Sequence, residues 1–512
     1  MTVKRSAAAT RMAPPARAFS PALVLILLLA AFLRLWKIDS PVGGFHAFNE
    51  ALYTLIAKNL AEGGSLLRPT AGGTWLFLET PPLLPYALAG IFHFTGVSIV
   101  AGRLVSVVSG VLLVLAVYSL GRRLYSAPAG LTAAVLVAVA PVAVLTGRNI
   151  QADTLCLFLL AAAYSFWGRA EGGAAGSRIL AGLLAGLSLF AKLFAGVGLA
   201  ALLAWEIATS GLSFLRDKAR WAAALIALSV PGAFYGYHAS RDLEAVRREV
   251  LGGAVIATSF PADGAAWASL AGEAFWAFSP LVAVLAALGA LAALARPSRE
   301  TLFALLPLAF FGVFYLFVHK HSYYLLSLLP WAALLAGRLL GGLPWRWLRG
   351  AVLIVVAASG VFVSTVDLCS MKLGFSEFAS FGHTAADLPG PEHLYRTGPD
   401  VRENYGTVVQ LYDPKAKLLS GAAAPAGRPE ETWLLAFVPP QARIPSGGWL
   451  FERERYGLEL FGFSFAEAHE NANFFSQGHY LVVRTGGPLD FGLHQLHRYP
   501  ALALAPLGGS GP

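Results

Sequence analysis

Three widely separated points of the chain place an ionisable side chain where an apolar run begins or breaks. Glu50 lies in Asn49-Glu50-Ala-Leu-Tyr, Asp153 closes Arg148-Asn-Ile-Gln-Ala-Asp153, and Lys192 closes Gly186-Leu-Ser-Leu-Phe-Ala-Lys192. A carboxylate can take the proton of an attacking hydroxyl, and a cation can neutralise a departing phosphate, so acids and cations gathered at one face suit group transfer. A third acid, Glu79, precedes Thr80-Pro81-Pro82, where it could orient a cation, an acceptor or a divalent metal. Arg103, Arg148 and Lys192 suit phosphate binding, and the turn His319-Lys320-His321 leading into Tyr323-Tyr324 adds Lys320, His321 and Tyr324 to that set. Plainer readings stand beside these. Glu50 and Asp153 are also what a helix N-terminus favours in its first turn, Asn49 is a natural N-cap, Glu79 fits a solvated loop, and tyrosines gather at any bilayer interface.

The elements that must hold these groups are apolar. Of 512 residues, 56% are hydrophobic and 13% charged, which excludes an ordinary soluble domain and indicates a polytopic helical membrane protein. The net charge of +9 is spread over short loops rather than gathered on one segment, so it reads as membrane topology and not as a nucleic-acid surface. Two cysteines, Cys156 and Cys369, supply neither a disulfide framework nor a thiolate metal cluster.

Apolar runs occur at 20–36, 82–98, 104–120, 128–147, 153–168, 178–207, 219–237, 266–295, 301–318, 322–340 and 349–367, most near the ~20 residues a spanning helix needs. The first follows Lys4, Arg5, Arg11 and Arg17 without a small-residue cleavage site, which reads as an uncleaved anchor with a cytoplasmic N-terminus. Keeping the later Arg and Lys clusters (Arg122/Arg123, Arg169/Arg178, Arg216/Lys218/Arg220, Arg296/Arg299, Arg338/Arg346/Arg349) inside as well forces two irregularities. The run at 82–98, entered through Pro81, Pro82 and Pro85, must be re-entrant or interfacial, and the run at 178–207 must break near Lys192 and turn back. About 11 crossings result. The candidate residues then face outward, Glu50 on an amphipathic surface helix marked by Leu52, Leu55, Ile56 and Leu60 within an outer loop at 39–103.

After residue 370 the pattern changes. Thr432-Trp-Leu-Leu-Ala-Phe-Val and His479-Tyr-Leu-Val-Val read as strands between turn-rich polar segments, so 1–370 is expected to be the membrane domain, 371–498 a small soluble α/β domain and 499–512 a disordered tail.

An ordered series of short segments resembles the GT-C superfamily of polyprenyl-phosphate-sugar glycosyltransferases, in the branch of protein O-mannosyltransferases and lipid A aminoarabinose transferases. The series is Asn49-Glu50-Ala-Leu-Tyr, Glu79-Thr-Pro-Pro-Leu-Leu, Arg103-Leu-Val-Ser, Gly121-Arg-Arg-Leu-Tyr, Arg148 through Asp153, Gly186 through Lys192, and His321-Ser-Tyr-Tyr-Leu-Leu-Ser-Leu-Leu-Pro330, over about residues 20–340.

The resemblance implies inverting transfer of a sugar from a polyprenyl-phosphate donor to a hydroxyl or phosphate of a lipid, glycan or protein acceptor. It implies Glu50 as base, Asp153 as aligning acid, and Lys192 and Arg103 as partners of the lipid phosphate, in a bacterial inner membrane with the soluble domain in the periplasm. This chain departs from the family's Asp-Glu at Asn49-Glu50 and from its Glu-Lys at Glu79-Thr80. No cofactor is required by these residues, and a divalent metal at Glu79 is the one the family raises. Two other readings compete: a lipid or sugar transporter, disfavoured by the absence of an internal repeat, and a donor-binding relative with altered catalysis, of which Asn49 would be the trace.

Overall fold

The computed structural model describes residues 20–43, 46–71, 75–169, 175–252, 264–317 and 322–368. Further on it describes 382, 386, 393–397, 406–419, 432–438, 448–451, 459–460, 463–464, 479–484 and 504–506. The first part is helical: α1 (Pro21–Leu35), α2 (Ala47–Ala61), α3 (Leu83–Thr95), α4 (Ile99–Leu124), α5 (Ala127–Val139), α6 (Pro141–Thr146), α7 (Ala152–Arg169), α8 (Ala175–Ala191), α9 (Ala195–Ser210), α10 (Lys218–Ala239), α11 (Leu243–Arg247), α12 (Gly264–Phe278), α13 (Pro280–Ala295), α14 (Arg299–Phe317), α15 (Leu329–Gly341) and α16 (Arg346–Leu368).

Local chemistry starts several of these helices. Ser20 accepts the Leu23 amide and Pro21 opens α1, Ser98 accepts the Ala101 amide at the head of α4, and Asp217 accepts the Ala219 amide at the head of α10. Among the described residues, four segments are long and apolar enough to cross a membrane: Ile99–Leu124, Ala195–Arg216, Arg299–Phe317 and Arg346–Leu368. A fifth arises if the pair Ala271–Phe278 and Pro280–Ala295, bent by 118°, is one span. The run at 266–295 is therefore not the straight crossing its hydropathy suggests. Ser279, at φ +71°, and Pro280 break it.

The two runs expected to be irregular hold a short helix and a helix break. α3 has 13 residues, about 20 Å of helix against a ~30 Å hydrocarbon layer, which is too short to cross upright. The run at 178–207 breaks at 192–194, between α8 and α9, so Lys192 sits at a helix end rather than on a helix wall.

Close packing at small residues fixes the bundle. α8 lies on α10 through Gly182 and Gly186, and a Cβ on Gly182 would come within 2.5 Å of the Ala223 carbonyl oxygen. Arg34, with no exposed surface, reaches from α1 to the α5–α6 break, where Pro141 has no N–H to offer the Val137 carbonyl. Its guanidinium donates to the Ala30, Ala138 and Val137 carbonyls at 2.9, 3.2 and 3.5 Å, supplying the missing partners.

Two short antiparallel pairs join β1 (Thr70–Ala71) to β2 (Trp75–Leu76) and, further on, β7 (Glu459–Leu460) to β8 (Phe463–Ser464); beyond the bundle, α17 (Gly406–Tyr412) accompanies a six-stranded mixed sheet of β3 (His393–Thr397), β4 (Ala416–Leu419), β5 (Thr432–Val438), β6 (Gly448–Phe451), β9 (His479–Arg484) and β10 (Leu504–Pro506), ordered β10-β6-β9-β5-β3-β4. The two segments read as strands from sequence pair with each other, Trp433 opposite Arg484 through Val438 opposite His479. Leu504–Pro506, expected in a disordered tail, pairs with Phe451–Trp449 as the edge strand, because a backbone ladder asks only for extended chain.

Candidate functional site

Glu50 stands in the first turn of α2, and that helix is not the amphipathic surface element its spacing implies. Every residue from Glu50 to Ala57 is buried, with α2 packed against α3 on one side and α17 on another. Glu50 itself has no exposed surface. Its Oε1 and Oε2 accept Arg103 Nε at 2.7 Å and Nη2 at 2.9 Å, and Oε1 also accepts the Ile150 amide at 3.3 Å.

Arg103 is equally enclosed. Its Nη1 donates to the Ile38 carbonyl at 2.6 Å and to the Ser40 carbonyl, and Nη2 donates to the Pro41 carbonyl at 3.3 Å. This planar two-pronged pair, sealed by three backbone carbonyls, is a clamp joining the 38–41 turn, α2, α4 and the 148–153 loop. Both side chains, expected as base and donor-phosphate ligand, are fully enclosed in this arrangement.

The second ion pair is open on one side. Asp153, in the first turn of α7, accepts Lys192 Nζ at 2.8 and 2.9 Å across the α8–α9 break. The Asp153 side chain is 2% exposed and that of Lys192 14%. Aromatic faces line the ammonium, with ring centroids of Tyr323, Tyr324 and Phe194 at 5.0, 5.1 and 5.4 Å. His46 meets the Tyr323 ring edge-on at 4.1 Å, bringing the entry of α2 to the same wall. Tyr53 of α2 closes another side within electrostatic reach of both Lys192 and Asp153, its hydroxyl hydrogen-bonded with Thr80.

Glu79 is exposed between buried Leu78 and buried Thr80. The Tyr235 hydroxyl donates to the Leu78 carbonyl at 3.1 Å and anchors the segment. Partial desolvation by the surrounding protein holds the Glu79 carboxyl above its ordinary range, Lys192 draws it back down, and Glu249 pushes it up again. Glu79 is thus the acid with surface to offer, facing the cation of the buried pair.

The other expected residues fall elsewhere. Asn49 is half-buried in the first turn of α2, whose N-cap position is His46 at φ +57°, so Asn49 is not the cap. Arg148 has no exposed surface and its Nη2 donates to the Lys37 carbonyl at 2.7 Å, bracing the loop against the end of α1. Lys320 and His321 lie outside the described residues, whereas Tyr324 lies at the site. Arg34 and Tyr53 were missed from the sequence. A lone arginine inside an apolar run was the available signal for the first; Tyr53 gave none.

Among the described residues no three His, Cys, Asp or Glu side chains form a group able to hold a metal ion.

Comparison with known proteins agrees with the resemblance read from the sequence. Residues 79–233 match the family model described as dolichyl-phosphate-mannose-protein mannosyltransferase. No curated protein matches the chain. Among solved structures, ArnT from Cupriavidus metallidurans bound to undecaprenyl phosphate superposes with a TM-score of 0.66 at 14% identity, over 81% of this chain and 92% of that one. The oligosaccharyltransferase AglB from Archaeoglobus fulgidus, in complex with an inhibitory peptide and a dolichol-phosphate, gives 0.54 at 13% identity, over 84% and 72%. The arabinofuranosyltransferase AftD from Mycobacteria gives 0.52 at 14% identity, over 92% and 40%. The fold is that of these solved glycosyltransferases, and the similarity to the mannosyltransferase family model extends over residues 79–233.

Proposed function

We propose that this chain is a multi-pass membrane glycosyltransferase that moves a sugar from a polyprenyl-phosphate donor to a hydroxyl or phosphate of a lipid, glycan or protein acceptor, with inversion at the anomeric carbon. The observation that carries the reading is the Asp153–Lys192 pair, whose ammonium is lined by aromatic rings and lies within electrostatic reach of the exposed Glu79 carboxylate.

Lys192 meets the donor phosphate. As the bond from anomeric carbon to phosphate oxygen breaks, negative charge collects on the phosphate, and a fixed cation in a cleft of low polarity stabilises that charge more than it stabilises the intact ester. Asp153 keeps Lys192 protonated and aimed. Tyr324 and Tyr323 lend their ring faces to the ammonium and exclude water beside it. Glu79 is the group placed to receive the acceptor proton, and its raised affinity for protons makes it a stronger base than an ordinary surface glutamate. Glu50 and Arg103 hold the scaffold beneath these groups, Asn49 contributes no acid, and Lys320 and His321 remain candidates for contact with the sugar or phosphate.

About 11 crossings, a cytoplasmic N-terminus, a bacterial inner membrane and a soluble domain over 371–498 at the periplasmic face complete the proposal. Its support is the placement of the basic clusters and the short or broken helices α3, α8 and α9.

The test is mass-spectrometric detection of sugar transfer by purified protein offered a panel of polyprenyl-phosphate sugars and acceptors, beside Lys192→Met and Glu79→Gln. Transfer by the wild type, lost in both variants with the fold intact, is expected. Wild-type activity retained in Lys192→Met would remove the assigned phosphate contact and with it this reading.

A further inference from the structure

The Glu50–Arg103 clamp is built in part from carbonyls of residues 38–41, a turn with no regular structure of its own. What holds that turn comes from the far end of the chain. The amide of Val42, a residue with no exposed surface, donates to the Tyr412 hydroxyl at 3.0 Å, across 370 residues of sequence. Tyr412 also lies within electrostatic reach of the Arg103 guanidinium.

Tyr412 is the last residue of α17, and α17 is itself rigidly seated. Val408 and Val409 have no exposed surface, and Asp413, immediately after the helix, returns its amide to the Val409 carbonyl at 2.8 Å. Asp413 is fixed through both oxygens: Oδ2 lies 2.8 Å from His393 Nδ1 on β3, and Oδ1 accepts the Lys415 amide at 3.0 Å. A continuous set of contacts therefore runs from β3, next to the edge strand of the sheet, through His393, Asp413 and Tyr412, to Val42, Arg103 and Glu50. It ends at the Ile150 amide, three residues before Asp153.

We propose that Tyr412 is a positioning residue: α17 docks on the membrane bundle beside α2 and, through the Val42 amide, holds the 38–41 turn in the conformation that lets Arg103 grip Glu50, which in turn sets the 148–153 loop that presents Asp153 to Lys192. The inference rests on the proposed transferase reading for its catalytic consequence but not for its structural one. A buried clamp needs every partner held. Arg103 spends donors on three carbonyls of one short turn, and a turn free to shift would leave those donors unsatisfied in a dry site. The hydroxyl of Tyr412 removes that freedom with one hydrogen bond, while its ring, like Val408 and Val409, supplies apolar contact that survives loss of the hydroxyl.

The experiment uses the full-length protein and Tyr412→Phe, which deletes the hydroxyl and keeps the ring, with Arg103→Lys and the double variant. Two quantities are read: amide hydrogen exchange of the peptide covering 38–43, and turnover against donor KM. Loss of one hydrogen bond predicts ~5-fold less protection at 38–43 and ~5-fold slower turnover, with donor KM and sheet protection unchanged. In the Arg103→Lys background, where the turn is no longer gripped, Tyr412→Phe should have no further effect on either readout; independent structural roles would add.

Unchanged exchange at 38–43 in Tyr412→Phe overturns the proposal whatever the activity. Lost protection with unchanged turnover overturns the catalytic part. If the wild type shows no transfer at all, the transferase reading fails and exchange alone decides whether α17 holds the turn.

Discussion

Lys192 Nζ lies 2.8 and 2.9 Å from the two carboxylate oxygens of Asp153, although Lys192 closes α8 at its break with α9 and Asp153 opens α7. The pair is asymmetric: the acid is buried and the cation keeps a face toward Tyr323 and Tyr324. A cation held from behind by its acid, with some surface left among aromatic rings, suits a site for an incoming anion.

Asp153→Asn keeps the shape and removes the charge that aims Lys192. Transfer should fall by about 100-fold, mostly in turnover, and stability by about 1–3 kcal/mol, below the figure for a fully buried pair because Lys192 retains some solvent. Steady-state kinetics beside detergent-phase melting checks both.

Glu50→Gln breaks a pair with no exposed surface on either partner. The expected cost is about 3–5 kcal/mol, since Arg103 stays buried with its neutralising charge gone. The variant should express poorly or melt early, whereas Asp153→Asn should remain folded. Comparable melting of Glu50→Gln and wild type would mean that Glu50 serves chemistry rather than the scaffold.

Glu79 gives a pH dependence with a definite sign. Its carboxyl is held above the ordinary value of 4.5, so the folded protein binds that proton more tightly than the unfolded chain. The resulting stabilisation is fully present below the unfolded value and is lost as pH rises through the folded one. Glu79→Gln has no proton to lose, so its melting temperature should exceed that of wild type at about pH 8 and approach it at about pH 4. Its transfer activity should nonetheless be lost at both.

Gly182 allows α8 to touch the backbone of α10. Gly182→Leu places atoms where the Ala223 carbonyl already sits and should cost about 1–3 kcal/mol by forcing the helices apart. The opposite replacement of a lipid-facing residue on the same helix, Leu183→Ala, should cost less than ~1 kcal/mol, because Leu183 is exposed. Thermal melting of the two variants side by side makes the comparison.

Hydropathy and the placement of Arg and Lys were enough to determine a polytopic helical protein, the short helix at 83–95 and the break at Lys192, because bilayer thickness and loop charge act on local sequence. The order of short motifs was enough to point to the GT-C class. Sequence also brought Asp153, Lys192, Glu79 and Tyr324 forward as candidates. It could not rank Glu50 and Arg103 below them, since a buried clamp and an open site use the same residue types, and only exposure separates them. The 118° bend at Ser279, the burial of α2 on every side and the Arg34 cap on the α5–α6 break arise from partners distant in the chain. So does the bond from Tyr412 to Val42. Packing chose those pairings, and no local pattern encodes them.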